Sequence, residues 1–207
     1  MAKAILISIQ PQYVAKILNG EKTIEIRKKF PKNYVGWVYI YCTKKDSLCC
    51  IRQIGSDRYI CGKDFNKKDF PRLSSGYEGK GKVVARFWCD KVSAIECVCC
   101  LTIPTIAYTT FLDRRYGYCS LLKASCLNDN EIMRYLGNKE GQSGYAIHIS
   151  KLEVFDTPRI LTMFRKPEFN KNIYDDNGNR LSLFERLRKY SITKAPQSWC
   201  YIEGKND

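Results

Sequence analysis

Alternation of polar and apolar positions is sharpest over Thr23–Lys28, where Ile24 and Ile26 interleave with Thr23, Glu25 and Arg27. A strand sends successive side chains to opposite faces, so Thr23, Glu25 and Arg27 share one face while the two isoleucines turn toward a core. Ala4–Ile9 upstream also reads as a strand. Between them Pro11–Asn19 reads as a helix: Pro11 suits a first turn, and Val14, Ile17 and Leu18 recur at helical spacing. Asn19-Gly20 supplies a left-handed stop. Pro31 and Asn33 then turn the chain into a β-branched and aromatic strand over Val35–Thr43.

Farther on, Lys44–Lys82 is punctuated by Gly55, Gly62, Pro71, Gly76 and Gly79 and reads as a loop. Lys82–Val92 and Val92–Ile103 read as two strands. Asn128–Leu136 reads as a helix capped by Asn128 or Asn130, with Glu131 in its first turn and Gly137 as its stop. Gly144–Phe155 reads as one long strand. After Pro158 the pattern weakens; Asp175-Asp176-Asn177-Gly178 marks a turn. Leu181–Tyr190 is a basic amphipathic helix whose stripe of Leu183, Phe184 and Leu187 is expected to pack on the core. Trp199–Glu203 closes the chain with a strand.

The chemistry concentrates where the helix meets the charged strand. Lys22 sits at the turn, with a stem long enough to swing over the face that carries Glu25 and Arg27. Ionisable groups gathered this tightly titrate one another and grip a polar ligand, although a strand face with a local ion pair is the ordinary reading of such a segment. The stretch "SIQPQYVAKILNGEKTIEIRKKFP" resembles the opening of an ASCH domain, whose hallmark G-x-K-x-x-E-x-R is matched by Gly20, Lys22, Glu25 and Arg27. Gly79–Cys89, Gly144–Phe155 and the closing Pro196–Tyr201 resemble later parts of longer ASCH proteins found in phages and prophages of Gram-positive bacteria.

That resemblance implies an α/β (α+β) fold, a PUA-like mixed β-barrel of about six strands with flanking helices. The organisation expected is a barrel over residues 1–155 with a loop insertion at 44–82, followed by a C-terminal extension at 156–207 packed on the same domain. It also implies RNA or DNA binding, in transcription-related roles, at Lys22, Thr23, Glu25, Arg27, Lys28 and Lys29. Lys22 and Arg27 would hold phosphate or a base edge, and Glu25 would orient Arg27 or accept from a base amino group. Two other classes remain open. One is a hydrolase, with Lys22, Glu25 and Arg27 as its catalytic groups. A ribonuclease would use Glu25 as general base. The acyl-cytidine amidohydrolases of the family carry a threonine nucleophile where this chain has Glu25. The other is a reader of a modified base without turnover.

Charge strengthens the binding reading. The 207 residues carry a formal net charge of +14. Basic residues cluster at Lys22–Lys32, at Lys63, Lys67, Lys68 and Arg72, and at Arg186, Arg188, Lys189 and Lys194. Phe30, Tyr34, Phe65, Phe70 and Tyr190 lie among them, and cations with aromatic faces suit single-stranded nucleic acid. The one histidine, His148, stands on a strand face with Ala146 and Ser150 and reads as a hydrogen-bonded structural residue. The 11 cysteines include one C-x-x-C, Cys97 to Cys100, which Cys49-Cys50 would have to complete for zinc. Strand alternation turns Cys97 and Cys100 to opposite faces, so no metal and no other cofactor is expected. The thiols read as reduced, small hydrophobes with no disulfide-linked partner. No apolar run reaches membrane-spanning length and no signal peptide is read, so a cytoplasmic protein with no membrane partner is expected.

Overall fold

The N-terminal alternation becomes β1 (Lys3–Ile9), followed by α1 (Pro11–Leu18), β2 (Ile24–Arg27) and β3 (Gly36–Cys42). The computed structural model describes residues 3–44, 50–61, 74–100, 103–108, 118–137 and 141–204. The basic cluster at Lys63–Arg72, with Phe65 and Phe70, lies outside the described residues. The remaining elements are β4 (Cys50–Gln53), β5 (Tyr59–Cys61), β6 (Ser74–Glu78), β7 (Val83–Cys89), β8 (Val92–Cys100), β9 (Ile103–Tyr108), α2 (Tyr118–Ser125), α3 (Asp129–Leu136), β10 (Ser143–His148), β11 (Ser150–Arg159), α4 (Leu183–Tyr190) and β12 (Trp199–Glu203).

The chain divides into two compact units, and each has its own core. The first comprises Met1–Ala15, Gly36–Phe87 and Glu153–Asp207. Its five-stranded sheet runs β11-β7-β3-β1-β12. Here β1 is an interior strand, parallel to β3 and antiparallel to β12, and six of its seven residues are buried. A strand covered on both faces reads as a continuous apolar run, which explains "AILISI". Ala4, Leu6, Tyr39, Tyr41, Phe155 and Phe164 are among the residues of the core beside this sheet. The second unit comprises Lys16–Val35 and Trp88–Leu152 and holds the sheet β2-β10-β8-β9 with α2 and α3. Ile24 and Ile26 point into its core against Ile95, Leu121, Ile132 and Leu136, as the alternation of β2 requires.

The mixed α/β class is as expected, but the strands are more numerous and arranged differently. Among the described residues twelve strands form three open sheets rather than one closed barrel of about six. The segment read as a loop over Lys44–Lys82 carries the antiparallel sheet β5-β4-β6. Its strands of three to five residues are too short to show a period, yet Cys50, Ile51 and Tyr77 are buried. The single strand expected over Gly144–Phe155 is two strands in different sheets. At Ile149 the backbone N–H leaves the run to donate to Thr23 O at 2.9 Å, and Lys151 follows at φ +43°. A fourth correction concerns α4: Leu183 and Phe184 are 63% and 75% exposed instead of packed, and its buried apolar residue is Tyr190. No helix among the described residues is long and apolar enough to cross a membrane.

Gly144 holds the second unit's layers together. A Cβ there would stand 2.5 Å from Leu136 Cδ2 of α3 and 2.9 Å from the Arg27 carbonyl oxygen of β2. The Arg27 contact is with backbone and has little room to yield. Gly144→Ala is expected to lower the unfolding free energy by about 1–3 kcal/mol, the usual penalty for overpacking, as read from urea denaturation.

Candidate nucleic-acid interface

The site begins where the turn after α1 meets the C-terminal end of α2. After α1, Gly20 takes φ +72° and its N–H donates to Ile17 O at 2.9 Å. Lys16 O accepts from the N–H groups of Glu21 and Lys22, at 2.9 and 3.1 Å. This turn delivers Lys22 and Thr23 to the C-terminus of α2. There the last carbonyls of a helix have no intrahelical partners. Thr23 N–H donates to Ala124 O at 2.8 Å, and the Lys22 ammonium donates to Ser125 O at 2.6 Å. Cys126, at φ +53°, turns the chain away, and its thiol donates to Glu21 O at 3.3 Å.

Lys22, Glu25 and Arg27 form one connected ion cluster. Lys22 Nζ lies 3.4 Å from one Glu25 carboxylate oxygen, and an Arg27 guanidinium nitrogen lies 2.9 Å from the other. All three are buried, Lys22 at 1% exposure and Glu25 and Arg27 at 7% each. The polar face of β2 is therefore covered, where alternation alone suggested a solvated one. Burial pushes the Lys22 ammonium below its ordinary value of 10.5, and the attraction of Glu25 opposes that shift.

The other expected residues lie at its margin. Thr23, Lys28 and Lys29 are exposed. Lys28 Nζ stands 5.6 Å from the ring centroid of Tyr135, an exposed aromatic on α3. Tyr145 is the cross-strand partner of Arg27. Neither tyrosine was singled out from sequence. Tyr135 could have been found as the polar-face aromatic of the helix over Asp129–Leu136. Of the aromatics expected to interleave with basic residues, Phe30 and Tyr190 are buried, at 5% and 6%, and offer no open ring face. His148 Nε2 lies 3.3 Å from Ser93 Oγ within the second unit. Cys42, Cys50 and Cys89 are buried, and burial pushes the Cys89 thiol up to about 12. Among the described residues no cluster of His, Cys, Asp and Glu is placed to hold a metal ion.

No family model and no curated protein matches the chain. Solved structures similar to it include the ASCH protein of Zymomonas mobilis, with 14% identity over 91% of this chain and 96% of that one, at a TM-score of 0.43. Two point mutants of that protein are similar in the same way. One shows 14% identity over 91% and 96% of the two chains at a TM-score of 0.44. The other shows 13% identity over 97% and 88% at 0.48.

Glu25 is the only anion in the triad, so its neutralisation leaves two buried cations without their shared partner. Glu25→Gln is expected to cost about 3–5 kcal/mol of unfolding free energy by chemical denaturation, the range for breaking a buried ion pair. Lys22 gives a separate signature in pH. Its folded value is lowered, so just below 10.5 the unfolded chain binds more protons than the folded one and stability rises with pH. The stability of the wild type relative to Lys22→Met is therefore expected to grow as pH climbs toward 10.5, and to level off above it.

Proposed function

We propose that the chain is an ASCH-type nucleic-acid-binding module that takes single-stranded RNA at the end of β2, in the cytoplasm and in a regulatory role. The observation that carries this reading is the pairing of Lys28 with the exposed Tyr135 ring, beside the Arg27–Glu25 ion pair. An open aromatic face stacks a base, and the adjacent ammonium neutralises its phosphate. The match of Gly20, Lys22, Glu25 and Arg27 to the family's motif and the net charge of +14 support the same reading.

Burial divides the work among the motif residues. Lys22, the most enclosed, is the anchor: it ties β2 to the C-terminus of α2 and fixes one side of Glu25. Glu25 in turn fixes the plane of the Arg27 guanidinium, which offers its fork to a base edge. Lys28, Lys29 and Thr23 meet the backbone. Both Glu25 oxygens are engaged by cations, an arrangement that favours orientation of Arg27 over proton abstraction.

Fluorescence anisotropy with labelled single-stranded RNA, duplex RNA and duplex DNA tests this reading. The logarithm of affinity for single-stranded RNA is expected to fall linearly with the logarithm of salt, by roughly 0.7 for each phosphate neutralised. Lys28→Ala with Lys29→Ala is expected to flatten that slope by about 1–1.5 and to weaken all sequences alike. Arg27→Lys retains the charge but loses the fork, so the slope stays and discrimination among sequences falls. Affinity that does not change with salt overturns the proposal.

A further inference from the structure

The basic residues grouped at Arg186, Arg188, Lys189 and Lys194 belong to the first unit, and the proposed interface at β2 does not use them. Arg186 of α4 reaches back to a turn at residues 166–169. Pro167 suits the second position of that turn, which Phe169 N–H closes by donating to Lys166 O at 3.0 Å. Arg186 Nε and Nη2 donate to Phe169 O at 3.2 and 2.7 Å, and Nη2 also donates to Asn170 Oδ1 at 3.4 Å. The guanidinium carbon of Arg186 stands 4.6 Å from the centroid of the Phe169 ring. Arg165 approaches the same ring, at 5.8 Å. Its Nη1 donates to Thr162 O and, at 3.1 Å, to Phe164 O. Its backbone is held on two sides, by a bridge to Ser191 and by Glu203 N–H, which donates to Arg165 O at 2.9 Å.

Two guanidinium groups therefore share one half-buried ring, and their polar partners are neutral. Arg27, Arg52 and Arg86 each hold a carboxylate, whereas Arg165 and Arg186 hold none among the described residues. Three acids lie near them in the chain or across its pairings. Glu185 precedes Arg186 and is ionised, but it accepts from Ser182 N–H and Oγ at 2.8 and 2.6 Å. Glu168 is exposed in the turn, and Glu203 meets Arg165 through backbone. None of the three is at ion-pair distance from either guanidinium group, and residues 159–194 carry nine Lys and Arg against four Asp and Glu. Like charges held at one ring repel, and an anion between them relieves that repulsion. Donors remain for it: Nη1 of Arg186 and Nε and Nη2 of Arg165 donate to no described residue.

We propose that Arg165 and Arg186 together hold a phosphodiester of an RNA backbone, as a second contact of this chain with that polyanion. The choice of RNA as the source of the phosphate rests on the proposed function; the anion site rests on the two arginines. A carboxylate lies in one plane and is matched by a single guanidinium, whereas a tetrahedral phosphate accepts from two forks that approach from different directions. Both guanidinium groups are half-buried, less enclosed than Lys22, so a phosphate reaches them without losing all of its water. Lys166 and Lys189 are exposed at the margin, where Lys166 N–H donates to Tyr190 O at 2.8 Å. The Phe169 ring is engaged by the guanidinium groups rather than open to a base, so the contact positions the backbone and carries no sequence preference.

Arginine-specific labelling with phenylglyoxal, read by peptide mass spectrometry, tests the site on the unaltered full chain. Single-stranded RNA is expected to slow the labelling of Arg165 and Arg186 several-fold, while the exposed Arg58 reacts as before. Fluorescence anisotropy gives an independent readout. Arg165→Gln/Arg186→Gln is expected to weaken all RNA sequences alike, by about tenfold, and to flatten the salt slope by about 0.7. Arg165→Lys/Arg186→Lys keeps the charge and loses the forks, so the slope stays and part of the affinity is lost. Thermal unfolding checks that each variant is folded; if the glutamine variant is not, the labelling of the wild type decides. Arg165 and Arg186 that label equally fast with and without RNA overturn the proposal. Inorganic phosphate that protects both arginines where RNA does not assigns the site to a free phosphate and overturns it as well. Failure at β2 gives a different pattern: Lys28→Ala/Lys29→Ala then leaves RNA affinity unchanged while Arg165 and Arg186 remain protected.

Discussion

Burial of Lys22 against Glu25 and the end of α2 is the constraint on which the second unit depends. Taking an ammonium, a carboxylate and a guanidinium out of water costs several kcal/mol per ion before any attraction returns. Three arrangements offset that cost. Glu25 sits between the two cations, 3.4 Å from Lys22 and 2.9 Å from Arg27. The Ser125 carbonyl at 2.6 Å accepts from the ammonium, at the helix end where the backbone dipole favours positive charge. The Thr23 N–H satisfies the next orphan carbonyl. The same contacts that make the buried charges tolerable also fasten β2, an edge strand of its sheet, to α2. Charge and architecture are one device here.

This economy separates support from contact. Buried ions are poor ligands for a phosphate, which would have to be desolvated to reach them. In the proposed interface the exposed Lys28 and Lys29 would meet a polyanion in water at little cost, which would make their contribution sensitive to salt. Tyr135 adds a ring face on a helix whose own position is secured by the Asn128–Glu131 capping box and by Ile132 and Leu136 in the core. A buried triad beneath an exposed cationic margin holds one guanidinium in place.

The thiols follow the same physical logic as the apolar residues around them. Cys42 and Cys50 end or begin strands in the first unit, and Cys89 ends β7; all three are buried as small hydrophobes. A thiol in such a place resists ionisation, as the raised Cys89 shows, and so contributes packing rather than nucleophilic chemistry.

What could be read from the sequence is what neighbouring residues settle among themselves. The stop of α1 at Gly20, the caps of α3 at Asn128 and Gly137 and the inward face of Ile24 and Ile26 all follow from local hydrogen bonding and period. The grouping of Lys22, Glu25 and Arg27 followed from spacing too. Four things had no local signal. β4, β5 and β6 are too short for alternation to register, and the break at Ile149 depends on the Thr23 carbonyl, distant in sequence. The apolar stripe of α4 has the period of a packed helix, yet Leu183 and Phe184 are exposed, because periodicity defines a face without saying whether anything covers it. Burial of the triad itself was decided by α2, whose C-terminal carbonyls lie a hundred residues from the lysine that they hold. Local chemistry chose which residues could form an ion cluster, and only tertiary packing determined that the cluster would be dry.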